Sequence, residues 1–149
     1  MEASLLIQLV VSSAMVAATI FIHLIGLGAL IALMRNHQTH LSTRRDNIDQ
    51  VIILLGVGFG LFALHAVEIW LYAGLYWVVT GWPAFEESLY FSTATYSTLG
   101  YGDGTLPRPW RVLGAIEGAN GVILLGWSTA FFVSVVGRLR ALEHDWGID

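Results

Sequence analysis

Between positions 98 and 103 the chain reads Thr98-Leu99-Gly100-Tyr101-Gly102-Asp103. Gly100 and Gly102 have no Cβ and accept positive φ, so successive carbonyls in this run can turn the same way, toward a common axis. Taken alone, the run is also compatible with a glycine-rich surface turn. Two acids, Glu68 and Glu117, stand inside otherwise apolar stretches. An acid at membrane depth is costly and marks a functional site by default. Glu117 shares a short patch with Asn120, one helical turn later, and reads either as a buried hydrogen-bonding group or as an acid reaching toward headgroups. His65 and Glu68 are three apart and so share a helix face. They form either a mutually satisfied polar pair or a proton-sensing one, because imidazole titrates near physiological pH. His23 stands alone in the first apolar stretch, where packing or a hydrogen bond suits it better than metal ligation. His23, His65 and Glu68 do not offer a metalloenzyme enough ligands at useful spacing. No H-E-x-x-H motif, nucleophile elbow or phosphate loop occurs, and no enzyme is expected.

These residues sit in a chain of 149 residues with 56% hydrophobic and 12% charged residues, and a mean hydropathy of +0.68. A soluble domain carries about 25% charged residues, so the composition points to an integral membrane protein. The absence of cysteine excludes a disulfide framework and thiolate metal sites. The net charge of −4 leaves no basic footprint for nucleic acid. A spanning helix needs about 20 apolar residues, and three stretches qualify: 3–34, 51–79 and 112–137. The first lacks the positive start and short apolar core of a signal peptide. Ser42 and Thr43, in the linker that follows it, can start a short surface helix. Every positive charge is an arginine. Arg35, Arg44 and Arg45 follow the first span, and Arg138 and Arg140 follow the third, which places these segments in the cytoplasm and the N-terminus outside. Trp70, Tyr72, Tyr76, Trp77 and Trp82 crowd the outer end of span two, as an interfacial aromatic belt would.

Between spans two and three, residues 85–97 read as a short helix. Pro83 suits its start, and Glu86 and Glu87 favour its first turn. About 13 residues at 1.5 Å each reach roughly 20 Å, enough to enter a membrane but not to cross it. The helix therefore ends inside, and its C-terminus directs partial negative charge inward. The irregular backbone after it is tolerated only where it is buried in protein or lines water.

A run of this composition, placed directly after a re-entrant helix between two spans, closely resembles the selectivity filter of the potassium channel pore family, usually written TVGYGD. The resemblance covers roughly the last hundred residues. It implies an all-α integral membrane fold with three transmembrane helices, a re-entrant pore helix and a filter loop, assembled as a homotetrameric ion-channel pore. In that reading residues 1–50 hold the extra N-terminal helix and a cytoplasmic linker. Residues 51–140 form the pore module, with outer helix 51–80, pore helix 85–97, filter 98–103 and inner helix 111–139. Residues 141–149 form a short tail. Carbonyls of Thr98, Leu99, Gly100, Tyr101 and Gly102 from four chains would replace the hydration shell of K⁺, with K⁺ sites at Thr98 through Tyr101. K⁺ is then the permeant ion, and no resident cofactor is implied.

The family's aromatic pair before the filter is here Tyr90 and Phe91, expected to cuff Tyr101, with the Tyr90 hydroxyl near Asp103. Leu99 replaces the usual valine. Ala94 stands where some members carry a supporting glutamate, and Glu117 is expected to support the filter from behind the pore helix instead. Gly121 and Gly126 are candidates for a gating hinge, with the spacing from the filter favouring Gly121 and Gly126 second, although Gly114, Gly118 and Gly121 also recur at a spacing suited to close helix packing. Ser128 to Val136 are expected to approach the cavity and the gate. The N-terminal helix is expected to pack outside the outer helix. A weakly selective cation channel of the same fold and a non-conducting membrane scaffold are the alternative readings. The minimal architecture suggests a bacterial inner membrane.

Overall fold

The computed structural model describes the backbone of residues 4–40, 47–100 and 106–144, and their side chains except those of 37–40, 47 and 140–144. The described residues form four α-helices and one 3₁₀ turn: α1 (Leu5–His40), α2 (Asn47–Thr80), α3 (Phe85–Tyr96), the turn Arg108–Trp110 and α4 (Arg111–His144). Three helical segments, Leu5–Asn36, Ile48–Thr80 and Arg108–Leu139, are long and apolar enough to cross a bilayer.

The helices overrun the apolar stretches that define them. No glycine or proline interrupts residues 35–40, and α1 continues through them. α2 starts at Asn47, ahead of the expected 51, with Asp49 in its first turn, where the macrodipole favours an acid. Ser42 and Thr43 lie outside the described residues. α4 runs past the expected 139 to His144, again with no breaker in its path. By contrast, α2 stops at Thr80, where local signals end it. Gly81 takes φ +68°, Pro83 follows, and Thr80 Oγ1 accepts a hydrogen bond from the Trp82 amide (3.2 Å). α3 has 12 residues and is about 18 Å long, well short of the roughly 30 Å hydrocarbon core.

Each long helix buries one stripe. On α2 it comprises Ile53, Val57, Leu61, Leu64, Glu68, Tyr72 and Tyr76; on α4 it comprises Leu113, Glu117, Asn120, Leu124, Ser128, Val135 and Leu139. Both follow the three-or-four-residue stride of an α-helix. One apolar cluster joins Ile53, Val57 and Leu61 to Val135 and Leu139. A second joins Tyr72, Tyr76, Leu106 and Leu113. Glu68, Asn120 and Ser128 occupy the stretch of these stripes between the two clusters.

α1 departs from its expected position. It packs against α4 as well as α2, in the groove between them rather than outside the outer helix alone. Its buried stripe is polar: Gln8, Ser12, Thr19 and His23. In a bilayer a helix gains nothing by turning leucine away from lipid, so small contacts and hydrogen bonds decide which face turns inward. Two leucine–glycine seats show this close approach. Leu64 packs over Gly26, and Leu30 over Gly60.

Candidate functional site

The site is built around the C-terminal end of α3. Ser97 N–H donates to Thr93 O and Thr98 N–H to Thr95 O (both 3.1 Å), after which Gly100 N–H returns to Ala94 O (3.2 Å). The chain therefore folds back on the end of its own helix. Thr98 has φ +60° and Gly100 φ +59°. Glycine takes this conformation freely, whereas a Cβ-bearing residue pays about 1–2 kcal/mol for it. Leu99 and Tyr90 are open to the surroundings of a single chain. Phe91 instead turns inward, edge-on to Tyr76 (ring centroids 5.1 Å apart) and close to Trp82 (5.6 Å). The two aromatic neighbours thus face different ways. Tyr101, Gly102 and Asp103 lie outside the described residues, as does the expected contact of Tyr90 with Asp103.

Glu117 is fully buried and does not extend toward headgroups. Its Oε2 accepts the Tyr76 hydroxyl from α2 (2.5 Å), and its Oε1 lies 2.6 Å from Ser92 Oγ on α3. Ser92 Oγ is also 2.9 Å from Ile69 O. A serine has one hydroxyl hydrogen for these two oxygens. All three contacts close when Glu117 carries a proton. It then donates to Ser92, which donates to Ile69 O, while Tyr76 donates to Glu117. One carboxyl group therefore ties α2, α3 and α4 together.

α3 rests on a ladder of small residues along α4. A Cβ on Gly114 would approach Leu106 to 2.9 Å, and one on Gly118 would lie 3.4 Å from Thr95 O. A Cβ on Gly121 would collide with the backbone of Tyr96, whereas one on Gly126 would meet nothing within 4 Å. Gly121→Ala is therefore expected to cost about 1–3 kcal/mol, because backbone cannot move aside as a side-chain tip can. Gly126→Ala should stay within about 0.5 kcal/mol of wild type. Thermal unfolding in detergent compares the two, and equal midpoints would contradict this packing.

Behind α3 lies a second polar cluster. Glu68 Oε1 meets His23 Nδ1 at 2.8 Å, and Oε2 meets His65 Nδ1 at 3.0 Å. The Tyr96 hydroxyl donates to the same Oε2. His65 Nε2 lies 2.9 Å from Ser128 Oγ. His23, expected to stand alone, is thus a partner of Glu68, brought there by α1. Asn120 Nδ2 donates to Thr19 Oγ1 (2.8 Å), with the Tyr72 hydroxyl 3.5 Å away. Tyr72 and Tyr76 are not part of a surface belt, since both are fully buried. Trp70 and Trp77 are the exposed aromatics of that region. Ser128 faces His65 within the subunit rather than a cavity. Ser92, Tyr96 and Thr19 went unnoticed in the sequence, although Thr19 lies on the polar stripe of α1.

A family model described as "Ion channel" matches residues 51–138, more than half of the chain. The chain belongs to this ion-channel family. No curated protein and no solved structure matches it. The matched residues hold most of α2, all of α3 and most of α4, with α1 outside the match. Family membership and three helices able to cross a bilayer make the chain an integral membrane protein.

Proposed function

We propose that the chain is one of four identical subunits of a potassium-selective channel, and that residues 98–103 form its filter. The observation that carries the reading is the short helix α3. It cannot cross a bilayer, its C-terminal end leads directly into Thr98-Leu99-Gly100-Tyr101-Gly102-Asp103, and the left-handed backbone at Thr98 and Gly100 turns the chain there. In this reading α2 is the outer helix, α3 the pore helix and α4 the inner helix. Four copies of the run surround the axis. Carbonyls of Thr98, Leu99, Gly100 and Tyr101 replace the hydration shell of K⁺, and ions advance by mutual repulsion between adjacent sites. The Thr98 hydroxyl adds the innermost oxygen ring. No covalent step occurs, and flux follows the electrochemical gradient.

The side of α4 turned away from the subunit core carries Val122, Leu125, Gly126, Thr129 and Val133. This side is available to a water-filled cavity or a neighbouring subunit. Gly126 is unencumbered there, whereas Gly121 is wedged against Tyr96. Gly126 is accordingly the better hinge. The arginines orient the N-terminus outside and the C-terminus in the cytoplasm, in a bacterial inner membrane.

The test is K⁺ flux into liposomes holding purified protein, together with reversal potentials under opposed K⁺ and Na⁺ gradients and the mass of the assembly. The expected result is a tetramer whose reversal potential follows the K⁺ gradient. A potential insensitive to exchanging K⁺ for Na⁺ would indicate a weakly selective cation channel. Absence of both flux and fourfold assembly would indicate a scaffold.

A further inference from the structure

The cluster on the far side of α3 gathers two imidazoles, a carboxylate and a phenol around one point. His23, His65 and Glu68 are each able to place one ligand atom within 4.8 Å of the others. Both imidazoles present Nδ1 to one carboxylate, at 2.8 and 3.0 Å, and the Tyr96 oxygen lies 2.9 Å from His65 Nδ1. Glu68 and His23 are fully buried. Among the described residues, the only ion-pair partners of Glu68 are these two histidines. A carboxylate in so dry a place needs a compensating positive charge.

We propose that His23, His65 and Glu68, with Tyr96 as a fourth ligand, form a binding site for one first-row divalent metal ion of the zinc type. Imidazole nitrogen with carboxylate and phenolate oxygen suits zinc, cobalt or nickel, whereas calcium and magnesium prefer all-oxygen shells. A divalent ion held by one carboxylate and one phenolate is electrically neutral, as the dry setting requires. Tetrahedral bonds of about 2.0 Å place neighbouring donors roughly 3.3 Å apart, so the 2.8–3.0 Å pairs would relax outward by a few tenths of an ångström and the shorter Tyr96–Glu68 contact by more.

The setting of His65 supports the same assignment. A ligating imidazole characteristically donates its other N–H to an oxygen, which fixes the ring. Ser128 Oγ stands 2.9 Å from His65 Nε2 in the position for that role. His23 Nε2 is buried and has no hydrogen-bond partner, so the two histidines are supported unequally. The ion would staple α1 to α2 and, through Tyr96, to the residue two positions before Thr98. It would thereby give the helix outside the matched family region a fixed attachment to the ion-channel module.

The probe is Co²⁺, with Zn²⁺ as competitor, added to purified, chelator-stripped protein in detergent. The expected result is one Co²⁺ per chain with the visible bands of a four-coordinate ion, displacement by Zn²⁺, and a raised thermal midpoint with either metal. His23→Gln and Glu68→Gln should each weaken binding about 100-fold, and Ser128→Ala roughly 10-fold, since outer-shell partners are commonly worth 10–100-fold. A variant with alanine at His37, His40 and His144, the other three histidines of the chain, should bind as wild type does. Elution from a sizing column reports folding. If His23→Gln does not fold, Ser128→Ala decides, because unchanged affinity in it overturns the site. Absence of saturable binding, wild-type affinity in folded His23→Gln, or loss of binding in the triple variant would overturn it too. The cluster would then be held by shared protons alone.

Discussion

Glu117→Ala is expected to destabilise the fold by about 2–4 kcal/mol, while Glu117→Gln should cost less than about 1 kcal/mol. Alanine leaves the buried Tyr76 hydroxyl without its acceptor and removes the Ser92 contact. Each buried polar group left unsatisfied costs about 1–3 kcal/mol, with a cavity term in addition. Glutamine reproduces a protonated glutamate in both directions. Its carbonyl accepts from Tyr76, and its amide donates to Ser92, which still donates to Ile69 O. If Glu117 were instead a buried anion, glutamine would remove a charge and present hydrogens where acceptors are needed, and both variants would be costly. Thermal midpoints in detergent separate the two cases. Tyr76→Phe in the wild-type and Glu117→Ala backgrounds completes a cycle, and the two losses should be far from additive because the pair is in direct contact. Should Glu117→Gln unfold as readily as Glu117→Ala, the protonated arrangement is wrong.

The partners in that prediction show where a linear reading stops. The existence of α3 was legible because its determinants are local: Pro83, the acids at 86 and 87, and a run too short to cross. The end of α2 was legible for the same reason. The partners of Glu117 were not, because Tyr76 and Ser92 lie 41 and 25 positions away. Apolarity does not distinguish the inner face of a membrane helix from its lipid face. For that reason Tyr72 and Tyr76 passed for an interfacial belt, although aromatic residues with hydroxyl groups suit buried polar layers equally well. A usable signal for α1 was nevertheless present. Gln8, Ser12, Thr19 and His23 are spaced by four, seven and four, which puts them on one side of a helix. Polar residues in a spanning helix face protein rather than lipid, so the inner face was readable, but not which groove receives it. His23 could be matched to Glu68 only once α1 was known to lie between α2 and α4.

Gly100→Ala is expected to reduce K⁺ flux at least about 100-fold while leaving assembly intact. Space is not the constraint, since a Cβ at Gly100 would meet nothing within 4 Å. The constraint is φ, which at +59° is unfavourable for alanine by about 1–2 kcal/mol per chain. Four strained copies around one axis make roughly 4–8 kcal/mol in the proposed tetramer. That is enough to favour a backbone in which the Gly100 amide leaves Ala94 O and the adjoining carbonyls turn off the axis. Gly58→Ala is the matched control. Gly58 is also free of neighbours within 4 Å, but it lies within helix α2 without a positive φ, so alanine there should change neither flux nor assembly. Thr98 must already bear this strain with a side chain present. Thr98→Gly should therefore relieve the backbone yet still lower flux, because it removes the hydroxyl ring that the proposed filter uses. If Gly100→Ala conducts like wild type, the backbone at 100 does not form the ion path. If Thr98→Gly conducts like wild type, the hydroxyl ring is dispensable, and only the carbonyl part of the proposed path survives.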